Sequence, residues 1–238
     1  MIRFILVALL VVGFLIFSIP LLLWENHVGK QDPEKQQAHS LKIVQAMFRL
    51  ILRISGVQVT VRGQERIPEG PVLYVGNHQS YFDILVGYTT VPTLLGFVAK
   101  KEMERYILLR DWMRNVNCLF LDRTDIKAGM KTILDGIQKI KAGISVWIFP
   151  EGTRNRDRED ATMLLPFKDG SFKIAQKTGC PIIPMALTGT ADIFENHFPW
   201  LHRAEVKLTY GEPIIFAELS MEDQKPVSYT HLRAHETL

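Results

Sequence analysis

Cysteine is nearly absent from this chain. Only Cys118 and Cys180 occur in 238 residues, and they form no CxxC pair. A disulfide scaffold and a cysteine zinc site are thereby excluded, and nothing opposes a reducing compartment. No stretch repeats at a period of about 20–50 residues, which sets solenoids and propellers aside. There is no Walker A sequence, no GxGxxG and no histidine cluster, so nucleotide cofactors and metals have no positive support. No GxSxG elbow occurs, leaving a serine-hydrolase nucleophile without an obvious candidate. A large excess of one charge is also lacking. The net charge is +3 and the pI is near 8.8, too little to argue for nucleic acid and suited to an anionic surface or a small anionic ligand. Apolar residues, by contrast, are plentiful: 47% of the chain is hydrophobic and 22% charged, which suffices for a packed core. At about 150 residues per domain, the length fits one domain, or one with an appendage.

The longest uncharged run is residues 4–24, 21 residues in all. As a helix it is roughly 32 Å long, close to the about 30 Å of a bilayer's hydrocarbon core. A signal peptide fits less well, because the n-region carries only Arg3 and no clear small-x-small cleavage site follows. Pro20 removes a helical hydrogen bond and favours a kink or stop. Two arrangements stand: a spanning helix, or a half-inserted one that enters and returns at Pro20, with both ends on the cytoplasmic side. Residues 25–40 read as a polar stretch. Residues 41–54 read as a second helix, with Lys42, Gln45, Arg49 and Arg53 on one stripe and Leu41, Val44, Met47, Phe48, Ile51 and Ile54 largely away from it. Such a basic amphipathic helix suits a surface of anionic lipids; it equally suits a helix docked on the domain with a solvated basic face. Residues 1–56 are thus read as a membrane-associating element and 57–226 as the main domain.

From Val57 onward the texture is α/β. β-rich runs occur at 57–61, 71–76, 95–99, 118–121, 144–149, 181–187 and 205–210, with helical stretches between several of them. The clearest helix is 126–141, with Ile126, Met130, Ile133, Leu134, Ile137 and Ile140 on one face and Gly143 just beyond its end. This alternation predicts a largely parallel central sheet of about seven strands flanked by helices. Ligand chemistry in such sheets gathers at the carboxyl ends of strands.

After the 71–76 run comes NHQSYFD, residues 77–83. Its H-x4-D pattern, His78 and Asp83, is weak alone, because His27 and Asp32 match it too. Within one helix a five-residue offset separates side chains by roughly 140°. The two groups meet only if His78 lies in the loop and Asp83 in the first helical turn, with Ser80 as N-cap and Asp83 at N3. Asp83 then holds one ring nitrogen and stabilises imidazolium, while the other nitrogen takes a proton. The alternative is that Asp83 completes a capping box and His78 is an ordinary loop histidine. A base without a protein nucleophile points to deprotonating a substrate hydroxyl or a water.

After the 144–149 run comes PEGTRNR, residues 150–156, ending in Arg156. Glycine lets a backbone approach an anion, threonine offers a hydroxyl, and arginine forks onto phosphate. A second P-E-G, at 68–70, precedes a strand and reads as a turn. Asp122 and Arg123 follow the 118–121 run. Arg123 either joins Arg154 around one phosphate or pairs with Asp122 or Asp125.

NHQSYFD, LFLDR, FPEGTRN and CPIIPMAL, in this order and spacing, resemble the glycerolipid acyltransferases. The resemblance runs from about residue 41 to about residue 213 and includes FKDGSFKIA at 167–175. It implies that His78 is the general base and Asp83 its orienting partner. It also implies that the hydroxyl of a lysophosphatidic acid attacks the thioester of acyl-CoA or acyl-carrier protein to give phosphatidic acid. Arg123, Glu151, Gly152, Thr153 and Arg154 would bind the glycerol-phosphate acceptor. Lys100 and Lys101 would assist, and Pro184 would shape the acyl-side pocket. No metal or tightly bound cofactor and no nucleic acid is expected; the partners are the phospholipid leaflet, the lysolipid and the acyl donor. Other lysolipids or glycerol-3-phosphate as acceptor, a membrane-bound thioesterase and a catalytically silent lipid-binding protein are the alternatives. The intact His78 and Asp83 argue against silence, and the EGTR loop argues against plain hydrolysis.

The tail VSYTHLRAHET, residues 227–237, fits none of these patterns. It resembles a translated transposase adapter from sequencing libraries, so residues 227–238 are expected to be non-native, and His231 and His235 carry no function.

Overall fold

The computed structural model describes residues 1–155 and 164–219. Arg156, the expected domain end at Pro226 and the adapter-like tail lie outside the described residues. The β-rich runs form β1 (Gln58–Arg62), β2 (Leu73–Gly76), β3 (Leu95–Lys100), β4 (Leu119–Leu121), β5 (Ser145–Ile148), β6 (Ile182–Thr188) and β7 (Glu205–Tyr210). They join into one seven-stranded sheet of order β1-β7-β6-β2-β5-β3-β4. The five strands from β6 to β4 are mutually parallel; β7 is antiparallel to β6 and parallel to β1, so that edge pair runs in reverse. The largely parallel sheet expected from the alternation is present, with strand ends shifted by two residues or fewer.

Alternation along β2 sends side chains to two cores. Tyr74 joins Phe97, Trp147 and Ile183 on one face, while Leu73 and Val75 join Ile137, Ile140 and Ile174 on the other. The first face is covered by α3 (Pro33–Ser55) and α4 (Phe82–Thr90), the second by α6 (Ile126–Lys141) and α7 (Lys173–Thr178). Close approach of α4 depends on Gly87, where a Cβ would stand 2.2 Å from Trp147 Cζ3. The α6 bounds match the sequence periodicity, and Asp125 caps the helix by accepting from the backbone N–H of Lys127 (2.8 Å). Only the C-terminal part of its apolar stripe is covered: Ile137 and Ile140 are buried, whereas Ile126, Met130 and Leu134 are exposed.

The N-terminal region departs most from the sequence reading. The polar stretch 25–40 is helical on both sides of Asp32, where α2 (Ile19–Gln31) and α3 meet. Asp32 accepts from the backbone N–H of Lys35 (3.0 Å), and Pro33 occupies the first turn, where no N–H is needed. The break after α1 (Ile2–Phe17) falls at Ser18, two residues before Pro20, which sits harmlessly in the first turn of α2. Among the described residues no single helix is long and apolar enough to cross a membrane; α1 and α2 meet that test only together, bent by 52°. α3 is docked on the domain. Its Leu41, Val44, Ile51 and Leu52 are buried, and the Gln45 side chain donates to the Tyr88 carbonyl (2.9 Å) instead of joining a solvated stripe. α5 (Ile107–Asn115) ties these helices together through Trp112, whose indole N–H donates to Ser18 Oγ (3.0 Å).

Candidate active site

The carboxyl ends of β2 and β5 lie side by side, and the two motifs that follow them meet there. Asn77 anchors the end of β2: its amide donates to the Leu187 carbonyl and accepts from the Leu187 N–H, both at 2.8 Å. The chain then leaves the sheet through residues 77–81 before α4 begins at Phe82. The N-cap is Tyr81 rather than the expected Ser80, so the helix starts one residue later and Asp83 is its second residue rather than its third; Ser80 Oγ accepts from the N–H of Phe82 (3.0 Å) in the turn before it.

Asp83 is fully buried. Its Oδ2 accepts from His78 Nδ1, from the N–H of Gln79 and from the N–H of Ser80, each at 2.8 Å. A buried carboxylate needs such donors. They also fix the imidazole: Nδ1–H faces Asp83, and Nε2 is left to act as a base. The ring stacks on Phe149 at 4.0 Å, with planes 12° apart. No sequence signal marks Phe149 for this, other than its place at the end of β5.

Glu151 is also buried, and the geometry assigns it a job other than acceptor binding. Its two oxygens accept from the backbone N–H groups of His78 (2.8 Å) and Leu165 (2.9 Å). It therefore ties the β2 loop to the far side of the β5 loop, while Asn155 N–H donates to the His78 carbonyl (2.7 Å). Burial raises the pKa of the Glu151 carboxyl, opposed by those two donors. Gly152 adopts φ +72°, a left-handed turn that any side chain would strain.

The cations divide into three groups. Arg123 faces the site and makes no salt bridge among the described residues, because the adjacent carboxylates are engaged: Asp122 takes Thr124 and Lys101, and Asp125 caps α6. Lys100 also lines the site. Lys101 does not, since its ammonium bonds Asp122 (3.1 Å). Arg154 lines the site but is paired: its Nη1 donates to Glu195 Oε1 (2.9 Å), and its guanidinium lies 3.7 Å over the Tyr81 ring. Glu195 also accepts from Ser80 Oγ (2.6 Å) and the Tyr81 N–H (2.9 Å). It thereby couples Arg154 to the segment that carries His78. Glu195 and Lys168, a further cation at the site, carry no local sequence signal, because neither stands at a strand end. Pro184 lies buried inside β6, paired with Val75, and does not line the site.

The site opens on a cavity of about 920 Å³. His78, Lys100, Arg123, Thr153, Arg154 and Lys168 form its polar end. Its walls continue as Val11, Phe14 and Leu15 of α1, Met47, Phe48 and Ile51 of α3, and Trp112 and Met113 of α5. An ordered base thus stands between a cluster of positive charge and an apolar hollow. Among the described residues no group of three or more His, Cys, Asp or Glu side chains is placed to hold a metal ion.

The acyltransferase family model matches residues 58–188, more than half of the 238 residues, and the chain belongs to that family. It is similar to the 1-acyl-sn-glycerol-3-phosphate acyltransferase of Saccharomyces cerevisiae, 27% identical over 79% of this chain and 62% of the relative. It is likewise similar to a probable 1-acyl-sn-glycerol-3-phosphate acyltransferase of Mycoplasma pneumoniae, 32% identical over 73% of this chain and 65% of the relative. The chain spans less than two thirds of the length of these curated relatives. Among solved structures, the 1-acyl-sn-glycerophosphate acyltransferase PlsC of Thermotoga maritima superposes with a TM-score of 0.82 and 26% identity, covering 99% of this chain and 94% of that one.

Proposed function

We propose that this chain transfers a fatty acyl group from acyl-CoA or acyl-carrier protein to the sn-2 hydroxyl of a lysophosphatidic acid, giving phosphatidic acid. The observation that carries this reading is the 2.8 Å bond from His78 Nδ1 to Asp83, set where cations and an apolar hollow meet. His78 Nε2 takes the proton of the acceptor hydroxyl as its oxygen attacks the thioester carbonyl. The new C–O bond forms, the C–S bond breaks, and the departing thiolate recovers the proton from the imidazolium. Asp83 stabilises the imidazolium while it lasts. General-base help of this kind is worth about 10²–10⁴ in rate, and alignment of the two substrates adds several kcal/mol. Arg123, Lys100, Lys168 and Arg154 hold the acceptor phosphate, with Gly152 and Thr153 lining the same end. The apolar hollow takes the acyl chain. Glu151 positions His78 from behind, and no metal or bound cofactor takes part.

The acceptor lies in a membrane leaflet, which accords with the exposed apolar face of α1: Ile2, Ile5, Leu6, Leu9, Val12, Ile16 and Phe17. We place α1 and α2 as a half-inserted anchor on the cytoplasmic side of the cell membrane. An acyl-transfer assay with labelled donor, offering lysophosphatidic acid, glycerol-3-phosphate and lysophosphatidylethanolamine side by side, tests the reaction. Labelled phosphatidic acid is the expected product. Free fatty acid alone would make the protein a thioesterase. A cysteine at Ile2, in a background lacking Cys118 and Cys180, tests the anchor: an impermeant thiol reagent should label it only after cells are broken.

A further inference from the structure

A second concavity lies away from His78, which follows the central strand β2, and sits at the β1 edge of the sheet. Arg3 of α1, Arg49 and Arg53 of α3, and Arg203 just before β7 converge on a groove of about 790 Å³. Its floor is the start of β1 and the end of α4, and no carboxylate lines it. None of the four arginines forms a salt bridge among the described residues; Arg49 makes one long contact with Gln45 Oε1 (3.4 Å). Arg203 lies across the C-terminus of α3 at Gly56, whose φ is +77° and whose Cβ would stand 2.8 Å from Arg203 Cγ. The negative end of α3 offsets only about half a charge. Clustered guanidinium groups without counter-charges favour an anion, and their planar forks match phosphate oxygens.

The setting of the groove identifies the source of that phosphate. Next to Arg3, Phe4 stacks on Phe194 (6.0 Å) and meets Trp200 edge-on (6.3 Å). Phe198 is 74% exposed and Trp200 41% exposed beside them, continuous with the bare apolar face at the start of α1. Aromatic and aliphatic side chains of this kind enter the interfacial layer of a leaflet, and basic side chains beside them sit at headgroup depth. We propose that Arg3, Arg49, Arg53 and Arg203 form a binding site for the phosphate of an anionic membrane phospholipid, separate from the cavity at His78. The site deepens the leaflet-bound reading on which it rests: it holds the domain by a lipid that is not a substrate and sets its orientation on the surface.

The test is native mass spectrometry of the detergent-solubilised full chain with added phosphatidylglycerol, phosphatidylcholine or inorganic phosphate. It is paired with vesicle co-sedimentation, with and without phosphatidylglycerol. The parent should retain a single phosphatidylglycerol, and Arg53→Gln/Arg203→Gln should lose it. Lys173→Gln/Lys177→Gln, which removes equal charge from α7, should retain it. The preference of the arginine double variant for anionic over zwitterionic vesicles should fall about thirtyfold, from about 1 kcal/mol per basic side chain at an anionic surface. Its melting temperature and its turnover of a soluble short-chain acceptor in detergent should stay at parental values. Equal lipid retention by both double variants, or displacement of the lipid by inorganic phosphate at comparable concentration, would overturn the proposal. Lipid retention is read without turnover, so failure of the acyltransferase reading leaves this result interpretable.

Discussion

Two pairs in this chain share the spacing H-x4-D, and the structure treats them in opposite ways. His78 lies in the loop after β2 and Asp83 in the first turn of α4, and their side chains meet at 2.8 Å. His27 lies within α2, and Asp32 is the residue between two helices, where its carboxylate caps α3. His27 meets Gln31 instead, at 3.2 Å. The difference is the path between the two residues. A turn that leaves a strand and enters a helix reverses the chain and brings positions five apart together, whereas a continuous helix rotates them away from each other. Spacing becomes geometry only when the backbone between the residues is known.

The largest effect that can break this comparison is on catalysis. His78→Ala should lower acyl transfer to lysophosphatidic acid by about 10²–10⁴-fold with the fold retained in circular dichroism, while His27→Ala should turn over like the parent. Comparable activity in the two variants would remove the mechanism. Asp83→Asn should cost about 10²-fold or more, because an amide NH₂ faces donors and the imidazolium loses its counter-charge.

The arginines sharpen the comparison on the acceptor side. Arg123→Ala should raise the acceptor KM by about tenfold or more, from a charge-assisted phosphate contact of about 1.5–3 kcal/mol, and leave the donor KM alone. Lys101→Ala should change neither, since Lys101 is turned to Asp122. Steady-state kinetics with each substrate varied separately decides. An effect confined to the donor would move Arg123 to the CoA or carrier-protein side.

Smaller effects fall on stability. Glu151→Gln should lose about 1–3 kcal/mol in chemical denaturation, because one of two buried N–H donors then meets an NH₂. Burial raises the Glu151 pKa, so the folded chain holds this proton more tightly than the unfolded chain does. The contribution therefore favours folding at low pH and declines as pH rises from the ordinary carboxyl value through the raised one. Denaturation midpoints measured across that range should show a shallower decline with pH in Glu151→Gln than in the parent.

Much of this was legible in the residues themselves. Apolar runs of strand length, broken by a helix with the period of 126–141, are enough for an α/β sheet, because burial on both faces demands continuous hydrophobic strands. Motifs placed directly after those runs point to the strand ends, and the four ordered motifs together carry the family. The α6 bounds followed from local signals, the apolar period of 126–141 and Gly143 just beyond its end, while the Asp125 cap is a finding of the structure.

What the tertiary structure alone decided concerns partners distant in sequence. Glu195 reaches Arg154 across 41 positions and Ser80 across 115, and no local pattern marks a carboxylate for that task. Glu151 looks like a ligand-binding acid in the motif, yet both its oxygens face backbone N–H groups that only folding brings near. Pro184 stands in a characteristic motif, yet it lies inside β6. Residues 1–56 look like a separate membrane element, yet α1 and α3 also wall the cavity. Composition and period report how a segment buries its own surface. Which buried surface a segment shares, and which charge it answers, depends on contacts that the chain makes only once the sheet has closed its order.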